Sequence, residues 1–136
     1  MIRGLMGWTG RTRVVQVAAG MFAALVIAAA CPAWAGKADV VGAEVVRDSD
    51  GSYRFKVTVR HKDEGWHHYA NAWEVVAPDG TVLGTRVLLH PHEQEQPFTR
   101  YLGKVKIPSG TKEVTVRALD LKHGGGGKEV TVKVPE

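Results

Sequence analysis

The sequence predicts an all-β fold, a seven-stranded antiparallel sandwich of the immunoglobulin or fibronectin type that follows an N-terminal signal peptide. Two observations predict the sandwich. Seven short runs of alternating apolar and polar residues are separated by turn signals at intervals of about 8–12 residues. No segment after residue 36 has a sustained helical period. We therefore assign residues 1–35 to the signal peptide and residues 36–136 to one immunoglobulin-like domain.

The first 35 residues have the three parts of a secretory signal. Residues 1–13 carry three arginines and no acidic side chain, and residues 14–30 carry no charge. Ala33-Trp34-Ala35 then has the small-x-small pattern that a signal peptidase recognises. This arrangement predicts cleavage after Ala35 and an exported product, periplasmic or secreted, that has no membrane segment after cleavage.

Two alternatives exist for the same segment. An uncharged stretch of about 17 residues is at the short limit of what spans a bilayer, so a permanent anchor is the first. Lipid attachment at Cys31 is the second, because Ala28-Ala29-Ala30-Cys31 partly matches a lipidation signal. That match lacks the large aliphatic residue usually found three positions before the cysteine, and cleavage after Ala35 is the favoured prediction.

Removal of the signal peptide changes the charge and the chemistry of the chain. It takes away three of the 18 basic residues and none of the 14 acidic ones, so the net charge becomes 15 minus 14, or +1. That balance does not favour a nucleic-acid partner. The single cysteine, Cys31, and all three methionines leave as well. Neither a disulfide nor a sulfur ligand is therefore expected in the exported domain.

The alternating pattern assigns strands and an interior face. The predicted strands are residues 38–47, 52–60, 72–77, 81–89, 98–107, 113–121 and 129–134. The predicted interior residues are Val41, Ala43, Val45, Tyr53, Phe55, Val57, Val59, Val114, Val116, Ala118, Val130, Val132 and Val134. Trp73 is the expected central aromatic residue, and Gly103 is the expected site of a β-bulge.

All six histidines fall in loops that the predicted topology brings to one end of the domain. When successive strands run antiparallel, the connections after strands two, four and six share one end. Those connections contain His61, His67, His68, His90, His92 and His123. The other end has the tight turns 48–51, 78–80 and 108–110. Loops that converge at one end of a sandwich are where such domains build binding sites.

Imidazole is the commonest metal ligand in proteins, which makes this end of the domain a candidate metal site. We predict that one divalent ion is bound by four of the histidines: His68, His90, His92 and His123. The proline in His90-Pro91-His92 favours an extended backbone, in which both histidine side chains point the same way. Without sulfur ligands, nitrogen and oxygen donors suit Cu(II) or Zn(II).

Other residues of these loops have supporting or solvent-exposed roles in this interpretation. His61 is interpreted as loop surface because it precedes Lys62 and Asp63. His67 and His68 are adjacent, so one of the two is expected to face the metal. Four carboxylates could bind the ion or orient its ligands: Asp63, Glu64, Glu93 and Asp120.

Two other functions are compatible with the sequence. One is a metal-free interaction module for an envelope protein partner, with Trp66 and residues 93–98 as its binding surface. The other is a metal-dependent hydrolase. We expect a binding protein rather than an enzyme and assign no catalytic residue. The candidate nucleophiles Ser49, Ser52 and Ser109 lie at or beside the tight-turn end, away from the histidines.

The middle of the chain resembles a known group of sequences. The stretches GWHHYANAWEVVAPDGTVLGTRVLLHPHEQEQPFTR and KIPSGTKEVTVRALDLKHGGGGKEVTV are similar to a group of small exported bacterial β-sandwich proteins of unknown function. The similarity covers most of residues 39–134 and is most specific over residues 89–100. It implies no activity. It extends through His68-Tyr69, which favours His68 over His67, and it includes the other three predicted ligands.

Overall fold

The structure is a computed structural model that describes residues 36–136, and the predicted signal peptide, residues 1–35, lies outside the described residues. The described chain has the predicted all-β fold, with seven antiparallel strands in two sheets. The strands are β1 (Asp39–Arg47), β2 (Tyr53–Arg60), β3 (Ala70–Val76), β4 (Val82–Val87), β5 (Phe98–Val105), β6 (Glu113–Asp120) and β7 (Val130–Lys133). Within residues 36–136 there is no helix of the length and apolar character needed to cross a bilayer.

The strand order brings the histidine-bearing loops together. One sheet has the order β1-β2-β5 and the other has the order β4-β3-β6-β7. Every pairing between neighbours is antiparallel. β4 pairs with β3, whereas in an immunoglobulin constant-type domain the fourth strand joins the sheet of the first two. The connections after β2, β4 and β6 therefore share one end of the sandwich, which we call the histidine end.

The core lies between the two sheets. Trp73 in β3 is fully buried, as predicted, and the other two largest fully buried side chains are Phe55 and Phe98. The predicted interior residues of β2 and β6 are confirmed as buried: Tyr53, Phe55, Val57, Val59, Val114, Val116 and Ala118. At the edge of the second sheet, Val130, Val132 and Val134 are partly buried and pack against this core.

An irregularity in β1 changes one predicted interior residue. The register of β1 against β2 shifts between Val40 and Gly42, which moves one residue to the other face of the strand. The fully buried residue is Val40, and the prediction of Val41 as interior is wrong. Beyond the shift, Ala43 and Val45 pack against the core as predicted.

The predicted bulge in β5 is confirmed. The register of β2 against β5 shifts opposite Tyr53 and Phe55. Lys104, which follows Gly103, has a φ of 57° there, a left-handed conformation that accompanies an extra residue in a strand. The Lys104 ammonium reaches the turn between β1 and β2, where its Nζ donates to Asp50 Oδ2 at 2.6 Å.

Replacement of Trp73 by alanine should destabilise the domain by about 3–5 kcal/mol, because the indole is fully buried and leaves a cavity between the sheets. Urea unfolding of both proteins, followed by far-UV circular dichroism, measures the difference. Tyr101→Ala is the matched control, since Tyr101 is 55% exposed and its loss should change the free energy of unfolding by about 0.5 kcal/mol or less. Similar losses in the two variants would contradict the assigned core.

Candidate metal centre

The loop after β2 folds back on itself and directs two histidines inward. His61 directly follows β2, and His68 comes just before β3. Backbone hydrogen bonds close the loop, from Glu64 N to His68 O at 2.7 Å and from His68 N to Gly65 O at 3.2 Å. Both histidines are buried, at 3% exposure for His61 and 6% for His68. The interpretation of His61 as loop surface is therefore wrong.

A buried carboxylate, Asp63, holds this loop to the rest of the histidine end. Its side chain is inaccessible to solvent. Oδ1 accepts hydrogen bonds from His61 Nδ1 and from the Ala70 backbone N–H, the latter at 2.9 Å. Oδ2 accepts the backbone N–H of His92 at 2.6 Å. A buried carboxylate is stable only where donors replace its hydration, and here the donors come from two different loops and from the start of β3.

Gln96 joins the same two loops a second time. Its side-chain Oε1 accepts the backbone N–H of His61 at 3.0 Å, and its Nε2 donates to the carbonyl of His92 at 2.9 Å. The backbone of the loop that precedes β5 is thereby fixed against His61. Together, Asp63 and Gln96 set the position of the His61 ring.

Four side chains form what we call the histidine cluster: His61, His68, Asp120 and His123. One ligand atom from each of His61, His68 and Asp120 lies within 4.8 Å of the other two. Asp120 Oδ1 is 3.3 Å from His68 Nε2 and 3.0 Å from His123 Nδ1. Neighbouring rings also touch, with centroids 4.9 Å apart for His61 and His68 and 5.1 Å apart for His68 and His123.

The three imidazoles converge on one backbone oxygen. The carbonyl oxygen of Gly36 is 3.1 Å from His61 Nε2, 3.0 Å from His68 Nε2 and 2.6 Å from His123 Nδ1. A carbonyl oxygen has two lone pairs, so it cannot be a good acceptor for three ring N–H groups at once. The ring nitrogens of the cluster thus point to one small region from two loops, those after β2 and β6.

The neighbours of two rings permit tautomers whose lone pairs face that region. When Asp63 accepts from His61 Nδ1 and the ring is neutral, the lone pair of His61 lies on Nε2, opposite the Gly36 oxygen. His68 Nδ1 is buried without a hydrogen-bond partner, and the nearest carboxylate is Glu64 Oε2 at 3.5 Å. If His68 donates towards Glu64, its Nε2 lone pair also faces inward. A cation in this region would resolve the repulsion between these lone pairs and the oxygens.

Asp120 is the last residue of β6, and its surroundings favour the ionised carboxylate. The backbone N–H groups of Lys122 and His123 donate to its Oδ1 at 2.9 and 2.8 Å. Burial alone would raise the pKa of Asp120, but these bonds and the one from the His123 ring outweigh it and lower the pKa. Its other oxygen, Oδ2, is buried without a hydrogen-bond partner. An ionised carboxylate with one unpartnered buried oxygen is a suitable metal ligand.

His90 and His92 form a separate pair at the same end. Their ring centroids are 4.5 Å apart, and the His92 ring stacks on Phe98 with a centroid distance of 4.0 Å. His90 is exposed, whereas His92 is 5% exposed and neither of its ring nitrogens has a hydrogen-bond partner. His92 Nδ1 lies 4.0 Å from Asp63 Oδ2, whereas His61 contacts the other oxygen, Oδ1, of the same carboxylate.

The structure thus divides the four predicted ligands. It brings His68 and His123 together with His61 and Asp120, and it pairs His90 with His92. His67 is exposed, so His68 is the member of the adjacent pair that faces inward. Whether His90 and His92 also bind metal stays a prediction.

Two features of the sequence could have identified the missed residues. The period of two in β2 continues past the strand, so His61 and Asp63 point inward while Arg60 and Lys62 point outward. In the same way, the buried positions of β6 continue from Ala118 to Asp120. A polar residue at an interior position of such a series indicates a buried polar site. No local signal points to Gly36, because its position depends on contacts with residues far away in the chain.

Comparison with known proteins gives one similar sequence. A protein of Halomicrobium mukohataei with the name "Putative lipoprotein" is 38% identical over 96 residues, which make up 71% of this chain and 47% of that protein. The chain thus spans about half the length of this relative. Neither a protein-family profile nor a solved structure matches the chain.

Replacement of Asp63 by alanine should destabilise the domain by about 3–5 kcal/mol, because it removes the acceptor for three buried donors. Lys62→Ala is the matched control: Lys62 is the preceding residue, is exposed, and should contribute about 0.5 kcal/mol or less. Chemical unfolding of the three proteins measures this. Equal stability of Asp63→Ala and the control would contradict the role of Asp63.

The domain should become less stable below neutral pH, in part through His92. Burial, together with the positive charges of Arg100 and His90, lowers the pKa of His92 below its ordinary value of 6.5. In the unfolded chain His92 binds a proton as the pH falls through about 6.5, whereas in the folded domain it stays neutral to a lower pH. Because the unfolded chain then binds more protons, the free energy of unfolding decreases as the pH falls. His92→Phe removes this contribution and keeps a ring against Phe98.

Urea unfolding at pH 7.5 and at pH 5 tests this prediction. His92→Phe should lose less stability between the two pH values than the unmodified domain does. His67→Phe is the control, since His67 is exposed and its replacement should leave the pH dependence unchanged. An identical loss in His92→Phe and the unmodified domain would contradict the assigned effect.

Proposed function

We propose that this protein is an exported binding protein for one divalent transition-metal ion, held by the histidine cluster of His61, His68, Asp120 and His123. One observation carries the proposal. Nitrogens of three histidines from two loops meet within 3.1 Å of a single backbone oxygen, and a buried carboxylate oxygen lies 3.0–3.3 Å from two of them. The two lone pairs of one carbonyl oxygen cannot accept three ring N–H groups at once, and a cation that replaces those protons would satisfy all three nitrogens.

The surroundings of the cluster support this function. Metal-bound histidines usually donate their second ring N–H to a carboxylate or carbonyl, which fixes the ring and its tautomer. Asp63 stands in that relation to His61, and Glu64 Oε2 lies 3.5 Å from the outer nitrogen of His68. The His123 side chain is 37% exposed, which provides a route by which an ion can enter.

The donor set narrows the choice of ion. Imidazole nitrogens with a carboxylate oxygen suit Zn(II) and Cu(II), the two ions expected from the absence of sulfur in the exported domain. Two histidines with one carboxylate are also the ligand set of many non-haem Fe(II) proteins, so Fe(II) belongs among the ions to be tested. We propose binding or delivery of the ion as the role, with no catalytic residue assigned.

The proposed location is the cell envelope or the space outside it. The signal-like segment, residues 1–35, supports export. The name of the Halomicrobium relative supports attachment of that protein to a membrane through lipid. For this chain, cleavage after Ala35 would release the domain, whereas lipid attachment at Cys31 would keep it at the membrane surface.

A thermal melt of the metal-free domain with added Zn(II), Cu(II) or, without oxygen, Fe(II) tests the proposed function. A free ion concentration of about 100 times the Kd should stabilise the folded state by about 2.7 kcal/mol. The Tm should then rise by on the order of ten degrees. His61→Ala and His68→Ala should lose this rise, because each removes a buried ligand. A flat response to all three ions would contradict the function.

Two controls separate the histidine cluster from the other histidines. His67→Ala changes the exposed neighbour of His68 and should keep the full rise in Tm. The double variant His90→Ala/His92→Ala should keep most of it. Loss of the rise in the double variant, with retention in His61→Ala, would instead favour the set that the sequence predicted, His68, His90, His92 and His123. Melts without metal show whether each variant still folds.

A metal-free interaction module is the second candidate function. It is favoured by Trp66 and Leu89, which are 63% and 77% exposed in loops of the histidine end. Trp66 and residues 90–95 line a shallow groove there. Phe98, which the sequence placed on this surface, is 1% exposed under His92, so that part of the prediction is wrong. If no metal ion stabilises the domain, the interaction module remains as the candidate function.

A further inference from the structure

We propose that Gly36 is itself a metal ligand, and that cleavage of the Ala35–Gly36 bond completes the site by freeing the Gly36 amine. The ion would then be held by the histidine cluster together with the α-amine and the carbonyl oxygen of one residue. This inference rests on the proposed function. Removal of the signal peptide would then have a second consequence besides release of the domain. The exported form would bind metal more tightly than the precursor does.

The first support is the position of the Gly36 oxygen. Six donor atoms around one ion, with bonds of about 2.0–2.2 Å, are separated from their neighbours by about 2.8–3.1 Å. The oxygen lies 3.1, 3.0 and 2.6 Å from the ring nitrogens of His61, His68 and His123. Two of these distances fall within that spacing and the third is about 0.2 Å shorter, so the oxygen already lies at a ligand position.

The second support is that only glycine fits at this place. Gly36 is buried and has a φ of 140°, which side chains of L-residues disfavour. A Cβ atom added there would lie 2.3 Å from His123 Cε1, far inside van der Waals contact. The backbone of Gly36 is thus packed directly against a ring of the histidine cluster, with no room for a side chain between them.

The third support is the chemistry of a new chain end. Hydrolysis of the Ala35–Gly36 bond by the signal peptidase adds one water, giving a carboxylate on Ala35 and an amine on Gly36. The amide nitrogen of the precursor has no free lone pair, whereas the amine has one. An α-amine has a pKa of about 7.7–8.0, so a metal can replace its extra proton, which passes to solvent. Amine nitrogen, Cα, carbonyl carbon, oxygen and metal then close a five-membered ring.

Binding through both atoms of one residue strengthens each contact. Once the Gly36 oxygen holds the ion, the amine is already at high effective concentration beside it. Loss of the amine should therefore weaken metal binding, while the histidines still bind. The precursor and any form extended at its N-terminus should behave as this weaker form.

The test compares exported proteins that differ only at the chain end. The full precursor is expressed with export, and the product is purified and its N-terminus identified from its intact mass. The matched variant has one alanine inserted between Ala35 and Gly36. It keeps the small residues Ala33 and Ala35 for cleavage, so its free amine lies one residue away from Gly36. The Kd for Zn(II) is measured by competition with a chelator of known affinity.

The insertion should weaken Zn(II) binding by about tenfold or more, since loss of even a hydrogen-bond partner of a ligand has an effect of that size. Equal Kd values, with His61→Ala weakening binding in both forms, would overturn this inference and leave the proposed function standing. Absence of binding of Zn(II), Cu(II) and Fe(II) in both forms would overturn both. A natural product that begins at a lipid-modified Cys31, or anywhere other than Gly36, would also overturn the inference.

An electron paramagnetic resonance measurement observes the ligand atom directly. The exported protein is made with ¹⁵N-glycine and unlabelled histidine, then loaded with Cu(II). If the Gly36 amine is a ligand, the nitrogen hyperfine pattern should change on labelling in the natural form and remain unchanged in the alanine-insertion form. A pattern that labelling leaves unchanged in the natural form would overturn the inference, independently of any loss of stability in the variant.

Discussion

The histidine end depends on the hydrogen bonds that the buried carboxylate of Asp63 accepts. The carboxylate accepts hydrogen bonds from His61, from the start of β3 and from the backbone of His92. Without it, the two loops that follow β2 and β4 would carry unsatisfied donors into the interior, at a cost of about 1–3 kcal/mol for each group. With it, the His61 ring has one orientation and one preferred proton position. The sandwich supplies two facing sheets, and Asp63 joins their loops into one rigid surface.

The histidine cluster differs from an ordinary packed interior in the way its polar atoms are paired. A histidine buried only for stability would have each ring nitrogen paired with one complementary group. Here three ring nitrogens share one carbonyl oxygen, a nitrogen of His68 lacks a partner, and so does Asp120 Oδ2. The fold keeps this arrangement because β2, β6 and the loops after them are fixed by the core. This pairing supports the proposed cation site.

Much of the fold could be predicted from the sequence, since strand alternation and turn residues act locally. The seven strands, the buried Trp73 and the common end of the histidine loops all follow from that pattern. The interior residue of β1 is Val40 instead of the predicted Val41 because the strand has a bulge, and a regular alternation of residues does not reveal a bulge. The cluster was predicted only in part. The neighbouring Lys62 suggests an exposed position for His61. His61 is buried because it continues the inward-facing positions of β2 and because Asp63 accepts a hydrogen bond from its ring.

The proposed metal ligands are His61, His68, Asp120 and His123. A crystal structure of the exported protein grown with Zn(II), with diffraction data collected on both sides of the zinc absorption edge, would locate the ion. The anomalous difference map should show one peak at about 2.0–2.2 Å from ring nitrogens of His61, His68 and His123 and from a carboxylate oxygen of Asp120. A peak beside His90 and His92 instead, or none at the histidine end at saturating Zn(II), would contradict this set of ligands.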